Sequence, residues 1–348
     1  MNATNAIAAA LIAALLFAVS TPLAKLLLGE LSPLLLAGLL YLGSGVGLWL
    51  ARAWRDRFAS RAPLPAAEWR WLLAAIVFGG ILAPVLLLDG LLHTTAADTS
   101  LLLNLEAVFT ALLAWLAFRE HTDRRIITGM ALIVAGGVVL AWPSAAGAAG
   151  SLRGALAIAA ACLCWGLDNN LTRRVSAADA LVIAATKGLA AGLTNCTLAL
   201  LLGARLPGAP LLLAAMGVGL LGYGVSLVLF IVALRSLGSA RTSAYFSTAP
   251  FLGALLSVLL LHDPVPVTLW ISAVLMGLGV WLHLTEHHEH EHFHPGMNHA
   301  HPHVHDEHHR HEHDFPWDGA EPHTHAHVHA PLRHRHRHYP DLHHRHDH

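Results

Sequence analysis

The sequence predicts an all-α membrane protein: ten transmembrane helices as two inverted five-helix repeats, followed by a disordered His-rich tail. Three observations carry this. Up to about Leu284 the chain is mostly Leu, Ala, Gly and Val, whereas residues 286–348 hold 24 of the 28 histidines, 11 acidic residues and 5 arginines. Several apolar runs in the first part reach the ~20 residues needed to cross a hydrocarbon core of ~30 Å. The chain also matches itself, without gaps, at an offset of 143 residues. The net charge of -1 averages two unlike parts and describes neither.

Taken in order, the runs predict spans near 6–28, 31–51, 70–92, 96–118, 124–142, 152–173, 178–202, 211–234, 239–261 and 266–284. The first could be a cleaved signal peptide, but Met1 to Asn5 carry no Lys or Arg and the run has a partner deeper in the chain, so it is kept as a helix. Pro22, Pro84 and Pro250 fall within or near spans, where neighbouring helices can satisfy the freed backbone. Cys162, Cys164 and Cys196 all lie inside spans and read as small apolar packing residues.

Charge sets the expected orientation. With the N-terminus inside, twelve arginines fall on the cytoplasmic side (Arg52, Arg55, Arg57, Arg61, Arg70, Arg119, Arg124, Arg125, Arg173, Arg174, Arg235 and Arg241), against Lys25, Arg153 and Arg205 opposite. The expectation is a multi-pass protein of the cell inner membrane with both termini, and hence the tail, in the cytoplasm.

The self-match pairs Ala97 with Ala240, Thr99 with Thr242, Ser100 with Ser243, Leu116 with Leu259 and Gly136 with Gly279, with acidic ends Glu120 and Asp263 in register. At an offset near 148, Phe17 and Pro22 lie against Trp165 and Asn170. The units are 1–143, 144–285 and the tail 286–348. Five spans is an odd number, so the second copy enters the membrane upside down. Such inverted repeats place a binding site at their interface near the bilayer centre and imply alternating access.

The stretch from Thr242 through Pro250, Asp263 and Gly279, and its counterpart from Leu103 through Glu120 and Gly136, resemble the EamA module of the drug/metabolite transporter superfamily. The resemblance covers about residues 6–284. It implies a cavity lined by helices 1 to 4 and 6 to 9, with helices 5 and 10 outside it. Where many members carry an arginine in helix 2, this chain has Leu40, and the equivalent place in the second half is Lys187.

A charge at the bilayer centre costs ~2.5–3.5 kcal/mol on insertion scales, so each one asks for a reason. Glu106 lies roughly 15 Å into span 4 and Lys187 is at similar depth in span 7. Thr99, Glu106 and Thr110 share one helical face. The expectation is that Glu106 and Lys187 meet across the repeat interface, with substrate or a proton competing for the pair; the alternative is a static salt bridge. Asp168, Asn169 and Asn170 line a cytoplasmic vestibule or cap a broken helix end. Asn104 reaches the cavity or bonds a neighbouring helix. Asp89 and His93, one turn apart, are spaced to share a metal or simply a hydrogen bond.

In the tail, His301, His303 and His305 and then His323, His325, His327 and His329 alternate with other residues. Neutral imidazoles bind Zn, Ni, Co and Cu, and a flexible chain of His-x-His pairs assembles sites in many ways. Prolines and charges disfavour a packed core there.

The leading function is a secondary transporter of a small organic solute or metabolite, with export and proton coupling as the expected mode, the lipid bilayer and the solute as partners, and no cofactor required. Lys187 tilts the cargo toward an organic anion, amino acid or similar metabolite. One alternative is a transition-metal transporter with the tail as collector; another is a non-transporting metal buffer or sensor. No catalytic motif of usable spacing is present, and nothing points to nucleic acid.

Overall fold

The structure is a computed structural model, and it describes residues 3–55, 68–118, 124–142, 148–173, 175, 179–285, 289–294, 297–303, 323–329 and 332–337. Residues 1–286 and 287–348 are separate units.

Helices α1 (Ala3–Leu27) and α2 (Pro33–Arg55) are single rods. Span α3 runs over Trp69–Ala75, Ile76–Leu82 and Ala83–His93, its middle segment wound in wide π turns. Span α4 is two helices, Ala96–Leu102 and Leu105–Phe118. Next come α5 (Arg124–Ala141), α6 (Ala148–Arg173) and α7 (Ala180–Leu201). Span α8 covers Ala209–Ala233 and includes a second wide-turn segment, Leu220–Val225. The helical stretch Ser226–Phe246 carries α8 onward and returns as the start of α9, which ends in Ala249–Leu261. Phe230 and Phe246 have ring centroids 5.0 Å apart, whereas straight helix would separate them by about 24 Å, so the chain doubles back between them. Helix α10 is Val267–Leu284.

Among the described residues, eight helices are long and apolar enough to cross a membrane. Ala249–Leu261, in the ninth predicted span, is a shorter apolar helix, and α6, the sixth, carries the polar residues Asp168, Asn169 and Asn170. Trp54, Trp69, Trp142, Trp270 and Trp281 are exposed and lie near span ends, where amphipathic rings favour the membrane–water interface.

The repeat is visible in the irregularities. The wide turns beginning at Ile76 recur at Leu220, 144 residues later, and the break at Leu103–Asn104 recurs at Ser247–Thr248, also 144 later. The two breaks share a cause. The Asn104 amide donates to the Leu101 carbonyl at 2.9 Å, and the Thr248 hydroxyl donates to the Tyr245 carbonyl at 2.6 Å. Each polar side chain thus satisfies a carbonyl three residues back, offering the backbone an alternative to the helical ladder.

Contacts between the halves exchange as a two-fold axis demands. A Cβ on Gly129 would lie 2.8 Å from the Gly279 carbonyl, and one on Gly136 would lie 3.1 Å from the Ser272 carbonyl. In the 143-residue register Gly129 corresponds to Ser272 and Gly136 to Gly279, so each contact is the other's image. These small residues bring α5 and α10 together antiparallel, and the two pack chiefly on each other, beside the remaining helices. The α2–α7 pair repeats the pattern with Gly45 against Gly188, and Arg55 joins Asp179 at 2.6 Å at its end.

In the tail unit, where the sequence predicts no regular structure, the described backbone forms β1 (Glu289–His294), β2 (Met297–His303), β3 (His323–His329) and β4 (Leu332–Arg337). β1 pairs with β4 and β2 with β3, both antiparallel. Runs alternating with period two are compatible with extended backbone, and pairing satisfies its amides without a packed core. His305 lies outside the described residues.

Candidate functional site

The wide turns of α3 organise the site. Bonding from i to i+5 leaves carbonyls of the segment free for other partners. The Gly79 carbonyl accepts from the Tyr41 hydroxyl of α2 at 2.8 Å and from the Trp165 indole of α6 at 3.1 Å. The Asn195 amide of α7 reaches the carbonyls of Gly80 and Ile81 at 3.4 and 3.3 Å. One irregular turn thereby ties three helices. Gly79 is required there by close approach, because a Cβ would sit 1.9 Å from Asp168 Oδ2.

Helix α6 presents Trp165, Asp168, Asn169 and Thr172 along one stripe. Lys187 of α7 donates to both oxygens of Asp168, at 2.5 and 2.7 Å, and to the Thr172 hydroxyl at 3.3 Å. Thr172 in turn donates to Asp168 Oδ1 at 2.9 Å. The pair is well enclosed, with the Lys187 side chain 17% and the Asp168 side chain 9% exposed. Across from it, the Asn169 amide donates to Glu106 Oε1 at 2.8 Å and to the Thr110 hydroxyl at 3.2 Å, while Asn170 holds the Thr110 carbonyl at 3.2 Å. Asn169 is exposed and Glu106 and Thr110 are partly so. These three therefore border open space, whereas Asp168 and Asn170 are buried.

The predicted Glu106–Lys187 pair is corrected by this geometry. Both residues belong to one cluster, but each takes its partner from α6: Lys187 takes Asp168, and Glu106 takes Asn169. Sequence could not foresee this because α6 lies between them. Two other expected residues fall outside the site. Thr99 is fully buried and shares a 2.7 Å hydrogen bond with Thr94; the break at Leu103–Asn104 removes it from the face of Glu106. Asn104 is spent on the break itself and on a 3.9 Å contact with the Met276 sulfur of α10. Asp89 pairs with Arg153 at 3.5 Å.

Aromatic side chains not expected from sequence as site residues lie beside the cluster. Tyr41 packs tilted against Tyr223 at 5.6 Å, Tyr223 meets Phe17 edge-on at 6.0 Å, and Phe17 meets Phe246 at 5.6 Å. All four rings are partly accessible. The stripe of α6 was readable in advance from its helical spacing; the aromatic row was not, since its members come from four spans.

The repeat shows how the charges are distributed. Gly222 faces Ser20, whose β-carbon a Cβ there would approach to 2.6 Å, and this contact is the image of Gly79 against Asp168 in the two registers. Ala249 answers Glu106 in the 143-residue register. The bundle is pseudo-symmetric and its charge is not.

At the far end of α1, the Lys25 ammonium donates to the carbonyls of Leu91 and of Thr94, the latter at 2.7 Å, and Asp263 accepts from the Ala97 amide at 2.9 Å. His262, in left-handed conformation with φ 57°, turns the chain after α9 so that Asp263 meets the first turn of α4. A carboxylate at a helix N-terminus is favourable there. Among the described residues no group of three or more His, Cys, Asp or Glu is placed to hold a metal.

The chain matches the EamA-like transporter family over residues 4–142 and 152–285. It is 29% identical over 286 residues to an uncharacterized transporter of Methanothermobacter thermautotrophicus, covering 78% of this chain and 83% of that one. It is 35% identical over 107 residues to the probable 4-amino-4-deoxy-L-arabinose-phosphoundecaprenol flippase subunit ArnE of Pseudomonas fluorescens, covering 31% of this chain and 90% of that one. A crystal structure of a protein with 22% identity superimposes with a TM-score of 0.59, covering 80% of this chain and 96% of that chain, a likeness that carries the fold alone. Because the match takes in both five-helix halves, with the polar cluster where they meet, the chain belongs to the EamA-like transporter family.

Proposed function

We propose that the protein is a secondary transporter that exports a small organic solute by alternating access, with the solute and a proton exchanging at Glu106. The single observation that carries this is the Glu106–Asn169 hydrogen bond, which puts an ionisable group on an accessible wall deep between the halves. Glu106 is about 15 Å from the start of α4, half of a ~30 Å core. The cost of holding a carboxylate there supports a role in the cycle. The exchangeable contacts of α5 with α10 and α2 with α7 support rocking of one half against the other, because a pseudo-two-fold pair has a second arrangement related to the first. In proteoliposomes, Glu106→Gln is expected to lower solute flux at least about tenfold and to abolish its response to an imposed pH gradient. Undiminished flux with unchanged pH response overturns the coupling role.

A second reading, for the tail, is that it collects transition metals such as Zn, Ni, Co or Cu. It is supported by strand register: His299 is opposite His327, His301 opposite His325 and His303 opposite His323, while His290 is opposite His336 and His292 opposite His334. Opposed residues have Cα atoms ~4.5–5.5 Å apart, and residues two apart share a face, so imidazole-bearing positions cluster without a packed core.

A further inference from the structure

We propose that the solute is an organic cation carrying an aromatic or apolar body, its charge held by Glu106 and its body against the rings of Tyr41, Tyr223, Phe17 and Phe246. The inference rests on the carrier reading above and names the cargo class. Its starting point is charge balance. Lys187, which from sequence favours an anion, is matched through both Asp168 oxygens, so the pair adds no net charge. Glu106 accepts from the Asn169 amide, which is neutral, and among the described residues no cation lies within ion-pair distance of it. The cluster therefore presents one uncompensated carboxylate on an accessible wall.

Two further features agree. The aromatic row joins the cluster through Tyr41, whose hydroxyl shares the Gly79 carbonyl with Trp165, one turn before Asn169. The rings follow one another at 5.6, 6.0 and 5.6 Å, spanning α2, α8, α1 and α9. Ring faces attract cations, most strongly where water is excluded, and bury an apolar body without placing further charge in the membrane. An anion would have to displace Asp168 from Lys187 and would meet Glu106 as a like charge. Among the described residues no group of three or more His, Cys, Asp or Glu is placed there to hold a free metal ion.

The test is binding of benzyltrimethylammonium, benzoate and benzyl alcohol to the purified full-length protein by titration calorimetry. The expected result is that benzyltrimethylammonium binds at least about tenfold more tightly than either of the others. Glu106→Gln is expected to lose at least that factor for the cation alone, and Glu106→Asp to retain part of it, both with native-like melting. Tighter binding of benzoate, or cation binding unchanged in Glu106→Gln, overturns the proposal. Flux of the same probes in proteoliposomes separates it from the carrier reading. If a neutral or anionic probe is carried while the cation neither binds nor moves, the carrier stands and the cation class falls. If the cation binds through Glu106 and nothing is carried, the reverse holds.

Discussion

Asp168 has two duties, neutralising Lys187 and filling the space opposite Gly79. Asp168→Asn leaves a buried ammonium without its counter-charge, and breaking such a pair costs about 3–5 kcal/mol. The expected outcome is a marked fall in melting temperature, largely recovered in the double variant Asp168→Asn/Lys187→Met, because the second change removes the stranded charge. Two single variants whose losses simply add would show that the residues act separately. Gly79→Ala is expected to destabilise more than Gly222→Ala, since its Cβ would meet Asp168 Oδ2 at 1.9 Å while the other would meet the Ser20 β-carbon at 2.6 Å; equal melting of the two would refute the close approach. At this scale the sequence exposed Glu106, Lys187, Asp168 and Asn169 because charged and amide groups in apolar runs are costly and conspicuous. It could not pair them. Pairing depends on which helix lies between which, and Tyr41 and Trp165, ordinary aromatics in sequence, are brought to one carbonyl only by the fold.

Helix breaks and clamps belong to the next scale. Asp263→Ala removes a carboxylate from the first turn of α4, and loss of such a cap costs about 1 kcal/mol. Faster hydrogen exchange at the Ala97 amide is the expected sign, and unchanged protection there would show that the cap is dispensable. Lys25→Ala should loosen the same corner, because the ammonium joins the end of α1 to carbonyls at the α3–α4 turn. Span lengths were legible, since apolar extent follows from bilayer thickness. The breaks at Asn104 and Thr248 were not: a polar side chain inside a membrane helix can bond a neighbour, line a cavity or turn back on its own carbonyl, and only the tertiary surroundings select among these. For the same reason the predicted stripe of Thr99, Glu106 and Thr110 was cut, with Thr99 packed away and Thr110 kept.

For the whole molecule, two units imply two separable properties. A chain ending at Glu286 is expected to keep solute flux and lose most binding of Zn and Ni, measured by calorimetry on both forms. Replacing His323, His325 and His327 by Asn should lower metal affinity, because each stands opposite a histidine of β2; unchanged affinity would show that the register is irrelevant to metal binding. By itself the sequence determined the class of the protein, its repeat and the difference between bundle and tail. Those follow from hydrophobic length, from self-similarity and from composition, which are properties of the chain taken in order. The tertiary structure alone decided which charge meets which and where the helices break. Electrostatic balance is set by distances of a few ångströms between residues far apart in the chain, and no linear pattern encodes them.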